Sequence, residues 1–144
     1  MPQFSNQFSV ELPGEWKDVT TYQFMGPEDS GVLHMLNLSI DPTPDEEDLY
    51  DYAQEFFAQA KESMPGADIL KEEQRTLENG RSVYEFVVKW IPTDDNIIYK
   101  KIVCMLHEGK GYIFIANFSK KTIKTIGVEV ERIIESLMPR SIMD

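Results

Sequence analysis

The residue types that most often bind metals or act in catalysis are scarce in this chain. His34 and His107 are the two histidines, and Cys104 is the single cysteine. The histidines fall in different predicted strands, and no cysteine or carboxylate lies at the spacing that a zinc site needs. Cys104 lies inside an apolar run, Ile-Val-Cys-Met-Leu, which favours a buried small side chain over a nucleophile. We therefore predict no metal site, no cofactor and no catalytic residues, so the protein is not expected to be an enzyme.

Three polar clusters resemble ligand sites only in part. Gly109–Gly111 lacks the flanking Gly and Ser/Thr of a phosphate loop and leads into a predicted strand, so we interpret it as a hairpin turn. Asp94–Asn96 lacks the downstream Gly and Glu of a calcium loop, which favours a solvated turn. Lys120, Lys121 and Lys124 lie near the start of a predicted helix, where an anion would be favoured. A solvated face is the favoured interpretation of these lysines, and anion binding there stays open.

Composition narrows the classes of partner. The chain has 144 residues and a net charge of −11, which disfavours nucleic acid and anionic membrane surfaces because both would repel it. The first residues, MPQFSN, carry neither the basic nor the apolar part of a secretory signal, and no apolar run has the length of a membrane span. We expect a single domain over residues 1–144, a cytoplasmic location and no direct membrane anchor.

Seven short runs of alternating or β-branched residues predict strands, separated by clusters of Pro, Gly, Asp and Asn. Asn79-Gly80 predicts a type I′ hairpin turn, and tight turns are expected at Pro92–Asn96 and Glu108–Lys110. The predicted strands are Gln7–Leu12, Lys17–Met25, Val32–Ile40, Ile69–Leu77, Arg81–Ile91, Ile97–His107 and Gly111–Phe118. The polar run Ile69–Leu77 is expected to be an edge strand.

Two amphipathic helices are predicted to cover this sheet. The first, Thr43–Met64, is expected to begin with a capping box in which Thr43 is the N-cap and Glu46 reaches back to it. The second is predicted over Lys120–Leu137 from its apolar stripe. We expect the two helices to bury Phe56, Ile133 and Leu137 against an antiparallel sheet, which is an α+β arrangement.

The opening of the chain, Phe8–Asp18 with the sequence FSVELPGEWKD, resembles the opening of DcrB-like proteins, in which a strand is followed by Leu-Pro, Gly, an aromatic residue and Asp. The Gly80 hairpin and the strands at Tyr99–Leu106 and Tyr112–Asn117 also fit that family, so the resemblance covers nearly the whole chain. It implies a PsbP-like α/β/α sandwich with an antiparallel sheet of about six to seven strands and two main helices.

The resemblance also implies a function. Some DcrB-like proteins are exported lipoproteins, which a chain without a lipobox or signal fits poorly. Another branch, the Eag chaperones of type VI secretion, consists of cytoplasmic proteins that form homodimers and shield the apolar N-terminal helices of secreted effectors. We therefore expect a chaperone or adaptor that binds an apolar helix of an effector protein. The alternative is a stand-alone DcrB-like structural or protein-interaction domain without a membrane-helix client.

The expected partner-binding surface combines apolar and small polar side chains. Met35, Asn37 and Ser39 alternate on the more polar face of their strand, opposite His34, Leu36, Leu38 and Ile40, which are expected to face the core. Tyr22 and Phe24 alternate on the neighbouring strand and are assumed to share the face of Met35. Met and aromatic side chains adapt to irregular apolar partners, and Asn and Ser can hydrogen-bond a helix. The alternative is that this face packs under another element or under a dimer partner.

Overall fold

The fold is taken from a computed structural model, which describes residues 2–4, 9–16, 18–29, 32–93, 96–139. In these residues it contains eight strands and two helices. They are β1 (Pro2–Phe4), β2 (Ser9–Glu11), β3 (Thr21–Asp29), β4 (Val32–Asp41), α1 (Leu49–Glu62), β5 (Asp68–Thr76), β6 (Ser82–Thr93), β7 (Asn96–His107), β8 (Lys110–Phe118) and α2 (Ile126–Glu135). The predicted first strand, Gln7–Leu12, corresponds to β2, which ends at Glu11, and its residues Gln7 and Phe8 lie outside the described part.

Six of the strands form one sheet in the order β3-β4-β8-β7-β6-β5, and every neighbouring pair is antiparallel. β1 and β2 form a separate antiparallel hairpin. The predicted antiparallel α+β sandwich is therefore confirmed. β5 is an edge strand, as its polar sequence indicates, and β3 is the other edge.

The helices lie on opposite faces of the six-stranded sheet. On one face α1 packs over β6 and β7, where the Phe57 ring stacks on Phe86 with 4.3 Å between ring centroids. On the other face α2 packs over β8. Val103 and Phe114 lie beneath Ile126, Val130 and Ile134 of α2 in a second apolar cluster. Burial on both faces explains the nearly continuous apolar sequences of the central strands.

Both helices begin later than predicted. Asp48, rather than Thr43, is the N-cap of α1, and its carboxylate accepts a hydrogen bond from the backbone N–H of Asp51 at 3.1 Å. The Thr43 backbone N–H instead donates to the Asp41 carboxylate at 3.1 Å, which holds this segment in a turn. α2 begins at Ile126, because residues 120–125 form turns around the fully buried Thr122.

One of the three helix residues expected in the core is not there. Phe56 is partly buried in the apolar cluster beneath α1, and Leu137 is partly buried in the one beneath α2. Ile133, however, is 44% exposed. The inward face of α2 consists of Ile126, Val130 and Ile134, which are four residues apart. Ile133 lies at the side of this stripe and borders a groove, so the prediction that it is buried was wrong.

One of the two hairpin turns differs from the expected type, and the other is a tight turn as predicted. Gly80 has φ +88°, but Asn79 has no positive φ, so the β5–β6 connection is not a type I′ turn. The Gly80 N–H bonds the Leu77 carbonyl, which is a turn closed by a left-handed glycine. Glu108 and Gly109 both have positive φ, at 49° and 75°, and form a type I′ turn between β7 and β8.

Candidate functional site

The α1 side of the sheet is covered unevenly. α1 packs over β6 and β7. The end of the sheet formed by β3 and much of β4 therefore has no helix over it on this side. We call this exposed area the open face. Strand register places the following side chains on it: Thr21, Gln23, Met25, Met35, Asn37, Ser39 and Ile115.

The register of β3 and β4 separates the five predicted partner-binding residues. Met35, Asn37 and Ser39 lie on the open face, as expected from their alternation. Tyr22 pairs with Leu38, and Phe24 pairs with Leu36. Because directly paired residues point to the same side of a sheet, Tyr22 and Phe24 lie on the α2 side. The assumption that all five residues share one face was wrong.

Gln23 and Met25 take the places on the open face that had been assigned to Tyr22 and Phe24. Gln23 pairs with Asn37, and Met25 pairs with Met35. Met25 is 69% exposed, so a flexible apolar side chain projects from the sheet edge. The alternation along β3 indicated two sets of residues, but it did not indicate which set faces which side, since a shift of one residue exchanges them.

Two polar atoms on the α1 side are buried without a hydrogen-bond partner among the described residues. They are the Asn37 side-chain oxygen and the Tyr52 hydroxyl. Nearby, the hydroxyls of Thr21 and Ser39 lie 3.0 Å apart and satisfy each other. Buried polar groups are normally paired, so each unpaired group marks a place where a partner or a water could bind. The α1 side therefore offers unused hydrogen-bonding capacity at the border of an exposed apolar surface.

The open face continues into a cleft of about 230 Å³ between α1 and the end of β4. Ser39 and Ile113 form its floor, and Tyr52 and Phe56 of α1 form its wall. Asp41, Asp45 and Glu55 lie at its rim. The cleft thus combines apolar side chains such as Ile113 and Phe56 with an acidic rim, which suits an apolar segment that carries basic residues beside it.

A smaller apolar groove of about 100 Å³ lies on the opposite side, between β3 and α2. Phe24, Leu36, Val130 and the exposed Ile133 line it, together with the buried His34. His34 faces the interior, as predicted from the sequence. Its Nδ1 lies 3.1 Å from the Pro27 carbonyl oxygen and donates to it, and its Nε2 has no partner among the described residues.

A cleft of about 760 Å³ lies between α2 and β5, β6 and β7, and charged side chains fill its floor. Glu85 is 1% exposed and forms ion pairs with Lys71 at 3.2 Å, Arg75 at 3.2 Å and Lys101 at 3.0 Å. Burial raises the pKa of the Glu85 carboxyl, but the cations beside it, Lys101 first, outweigh burial and hold that pKa below its ordinary value. The sequence signal for this network was the single charge within the apolar run VYEFVV.

The three lysines singled out from the sequence lie in the segment just before α2. Lys120 and Lys121 are exposed in the turns before α2, and Lys124 borders the charged cleft. Within the described residues, no group of three or more His, Cys, Asp and Glu side chains could hold a metal ion. None of the helices described by the structure is long and apolar enough to cross a membrane.

The sequence also matches a known protein family over the whole six-stranded sheet and both helices. The profile of the DcrB family matches residues 8–136, which includes every strand of the six-stranded sheet and both helices. The chain belongs to the DcrB family. A comparison with functionally curated proteins finds no match.

Two solved structures that superpose on this DcrB-family chain identify its fold. PA94, a Pseudomonas aeruginosa protein of unknown function, superposes with a TM-score of 0.75 at 15% identity, covering 98% of this chain and 97% of that one. Cyanobacterial PsbP (CyanoP) from Synechocystis gives a TM-score of 0.53 at 13% identity, covering 88% of this chain and 96% of that one. The DcrB-family chain therefore has a PsbP-like fold. These identities are too low to carry function from either protein to this one.

Proposed function

We propose that this DcrB-family protein is a non-enzymatic cytoplasmic chaperone or adaptor that binds and shields the apolar N-terminal helices of a type VI secretion effector. The single observation that carries the proposal is a sheet face that no helix covers and on which Met25, Met35 and Asn37 lie side by side. A membrane helix held outside a membrane needs apolar cover and hydrogen-bond partners for its own polar groups. The open face offers both.

The apolar cover comes from side chains that can adapt to a client. Met25 and Met35 pair across β3 and β4, and Ile115 of β8 pairs with Asn37. Methionine is unbranched and polarisable, so two paired methionines can fit helices of different sequence. Such a surface would bind a class of apolar helices rather than one sequence.

The polar part of the same surface would orient the client. The buried Asn37 oxygen has no partner, and rotation of the side-chain amide would bring it to a Ser, Thr or backbone donor of the client helix. The Thr21 and Ser39 hydroxyls can exchange their mutual bond for bonds to the client. The cleft beside Ser39 has an acidic rim at Asp41, Asp45 and Glu55. This rim suits the basic residues that commonly flank membrane helices.

The decisive experiment is co-expression of the full chain with the tagged N-terminal segment of a type VI effector encoded beside it, followed by co-purification. We expect the wild-type protein to be captured in a stoichiometric complex. Met25→Asp places a charge on the open face, and Asn37→Leu removes the acceptor without adding charge. Each should weaken capture by about tenfold or more, because the complex would bury an unpaired charge or an unpaired client donor.

The control is Val128→Asp, which changes an exposed aliphatic residue on α2, on the other side of the sheet. It should leave capture unchanged, and thermal melts should confirm that all three variants fold. Capture that is unaffected by both open-face variants would contradict the proposed surface. If no effector segment is captured at all, the alternative of a stand-alone DcrB-like interaction domain would stand.

A further inference from the structure

Lys100 of β7 carries a charge that no carboxylate balances within the described part of the chain. Its side chain is half-buried, burial lowers the pKa of its ammonium group, and none of the ion pairs among the described residues includes it. The next residue, Lys101, contacts both Glu85 and Glu131, at 3.0 and 2.9 Å. A half-buried cation without a partner is unfavourable, and an electron-rich ligand would offset that cost.

Strand register places Lys100 on the α1 side, in line with the open face. Its pair on β6, Val88, is buried beneath α1, and its pair on β8 is Asn117. The register of β4 and β8 then puts Asn117 beside Met35 of the open face, and Met35 pairs in turn with Met25. One row of side chains therefore crosses the sheet from two methionines to an amide and an ammonium group.

Lys100 and Asn117 offer hydrogen-bond donors at the end of this row. The ammonium group has three N–H donors and the side-chain amide has two, and Asn117 is exposed. The Lys100 Nζ lies 5.8 Å from the centre of the Trp90 ring, and this cation–π contact holds the ammonium group beside the indole. We call Trp90, Lys100 and Asn117 the donor site. It suits a ligand group that carries negative charge or unpaired acceptors.

The opposite end of the open face has the opposite charge. Ser39 borders the cleft whose rim carries Asp41, Asp45 and Glu55. Four residues along β4 separate Met35 from Ser39, which is about 13 Å, and two strand spacings, about 10 Å, separate β4 from β7. The donor site and the acidic rim are therefore about 16 Å apart, which is the length of about 11 residues of an α-helix.

We propose, on the basis of the function proposed above, that the donor site binds the C-terminal end of the client helix and the acidic rim binds its N-terminal end. The last carbonyl oxygens of a helix have no partner within it, and that end carries partial negative charge. Lys100 and Asn117 would donate to those oxygens. The N-terminal end carries partial positive charge, which suits Asp41, Asp45 and Glu55. The open face would therefore hold a client helix in one direction, since a reversed helix would bring like charges together at both ends.

A competition between two client segments tests the role of Lys100. The full chain is co-expressed with the effector segment carrying either Glu or Lys directly after the C-terminal end of its apolar helix, and mass spectrometry of the purified complex gives their ratio. The wild-type protein should favour the Glu segment by at least about threefold. Lys100→Met keeps an unbranched apolar side chain without the charge and should remove the preference. Lys89→Met is the matched control, because Lys89 is half-buried and pairs with Tyr99 on the α2 side, and it should keep the preference.

Disulfide cross-linking tests the direction and leaves Lys100 intact. Met35→Cys, beside the donor site, should cross-link to a client cysteine at the C-terminal end of the helix, and Ser39→Cys to one at the N-terminal end. The swapped combinations should give several-fold less product. The native Cys104 is buried and its pKa is raised to about 12, so it does not compete.

Two results would overturn the proposed direction while the proposed function stands. One is capture of the Glu and Lys segments in equal amounts by the wild-type protein. The other is equal cross-linking in the matched and swapped combinations. Absence of any capture would overturn the direction and the proposed function together.

Discussion

Glu85 of the sheet and Glu131 of helix α2 share the ammonium group of Lys101, whose Nζ lies 3.0 Å from Glu85 and 2.9 Å from Glu131. Arg75 joins the same two carboxylates at 3.2 Å and 2.7 Å. The network therefore connects α2 to three strands, β5, β6 and β7, beyond the apolar contacts of its inward face. Ion pairs at such a position fix how a helix lies on a sheet, because they are satisfied in only one arrangement.

Glu85→Gln should destabilise the protein strongly. The carboxylate is 1% exposed and faces three cations, so its neutralisation leaves buried positive charge without its partner. We expect the free energy of unfolding at pH 7 to fall by about 3 kcal/mol, measured by urea denaturation. Glu73→Gln, at an exposed residue of β5 that contacts the same Lys71, is the control and should change it by about 0.5 kcal/mol or less.

The same variant should flatten the dependence of stability on pH. The pKa of Glu85 and of Glu131 is lower in the folded protein than the ordinary value of 4.5, since the neighbouring cations outweigh burial. As the pH falls below 4.5, the unfolded chain takes up protons before the folded one, and the stabilisation is lost. The wild-type protein should therefore lose more stability between pH 7 and pH 4 than Glu85→Gln does. Parallel losses would contradict this assignment.

Gly111 and Gly127 should respond in opposite directions to alanine. A Cβ added at Gly111 would overlap the Tyr52 ring of α1, while one added at Gly127 would meet only Ile123 Cγ1 at 4.0 Å. We expect Gly111→Ala to lower the free energy of unfolding by about 1–3 kcal/mol, because α1 must move from the sheet. Gly127→Ala should raise it by about 0.5 kcal/mol, since alanine favours the helix. Thermal melts of the two variants under one condition provide the comparison.

The sequence predicted the strands of the sheet better than it predicted the face that each residue occupies. The inward face of β4 was identified correctly because His34, Leu36 and Leu38 alternate with more polar residues. On β3 both alternating sets contain polar and apolar side chains, so composition could not decide whether Phe24 or Met25 faces the open side. The register with β4 decides it, and register depends on the whole sheet.

The predicted starts of the two helices were wrong for a related reason. Thr43 with Glu46 has the pattern of a capping box, but Asp48 offers an equally good cap nearer to the apolar stripe. Local sequence does not rank two good caps; packing does, because only residues that reach the sheet stabilise the helix. The candidate site was therefore predictable in composition, as methionine and small polar residues on an outer strand, but not in its exact membership.

Tyr52 and Tyr84, both buried on the α1 side, provide the last prediction. The Tyr84 hydroxyl donates to Glu72 at 2.6 Å, whereas the Tyr52 hydroxyl has no partner among the described residues. Tyr84→Phe should therefore lower the free energy of unfolding by about 1 kcal/mol, while Tyr52→Phe should leave it unchanged or raise it by about 1 kcal/mol, because a buried unpaired hydroxyl is removed. Urea denaturation measures both. An equal loss in the two variants would show that Tyr52 is already hydrogen-bonded in the free protein, and its hydroxyl would then offer nothing to a client.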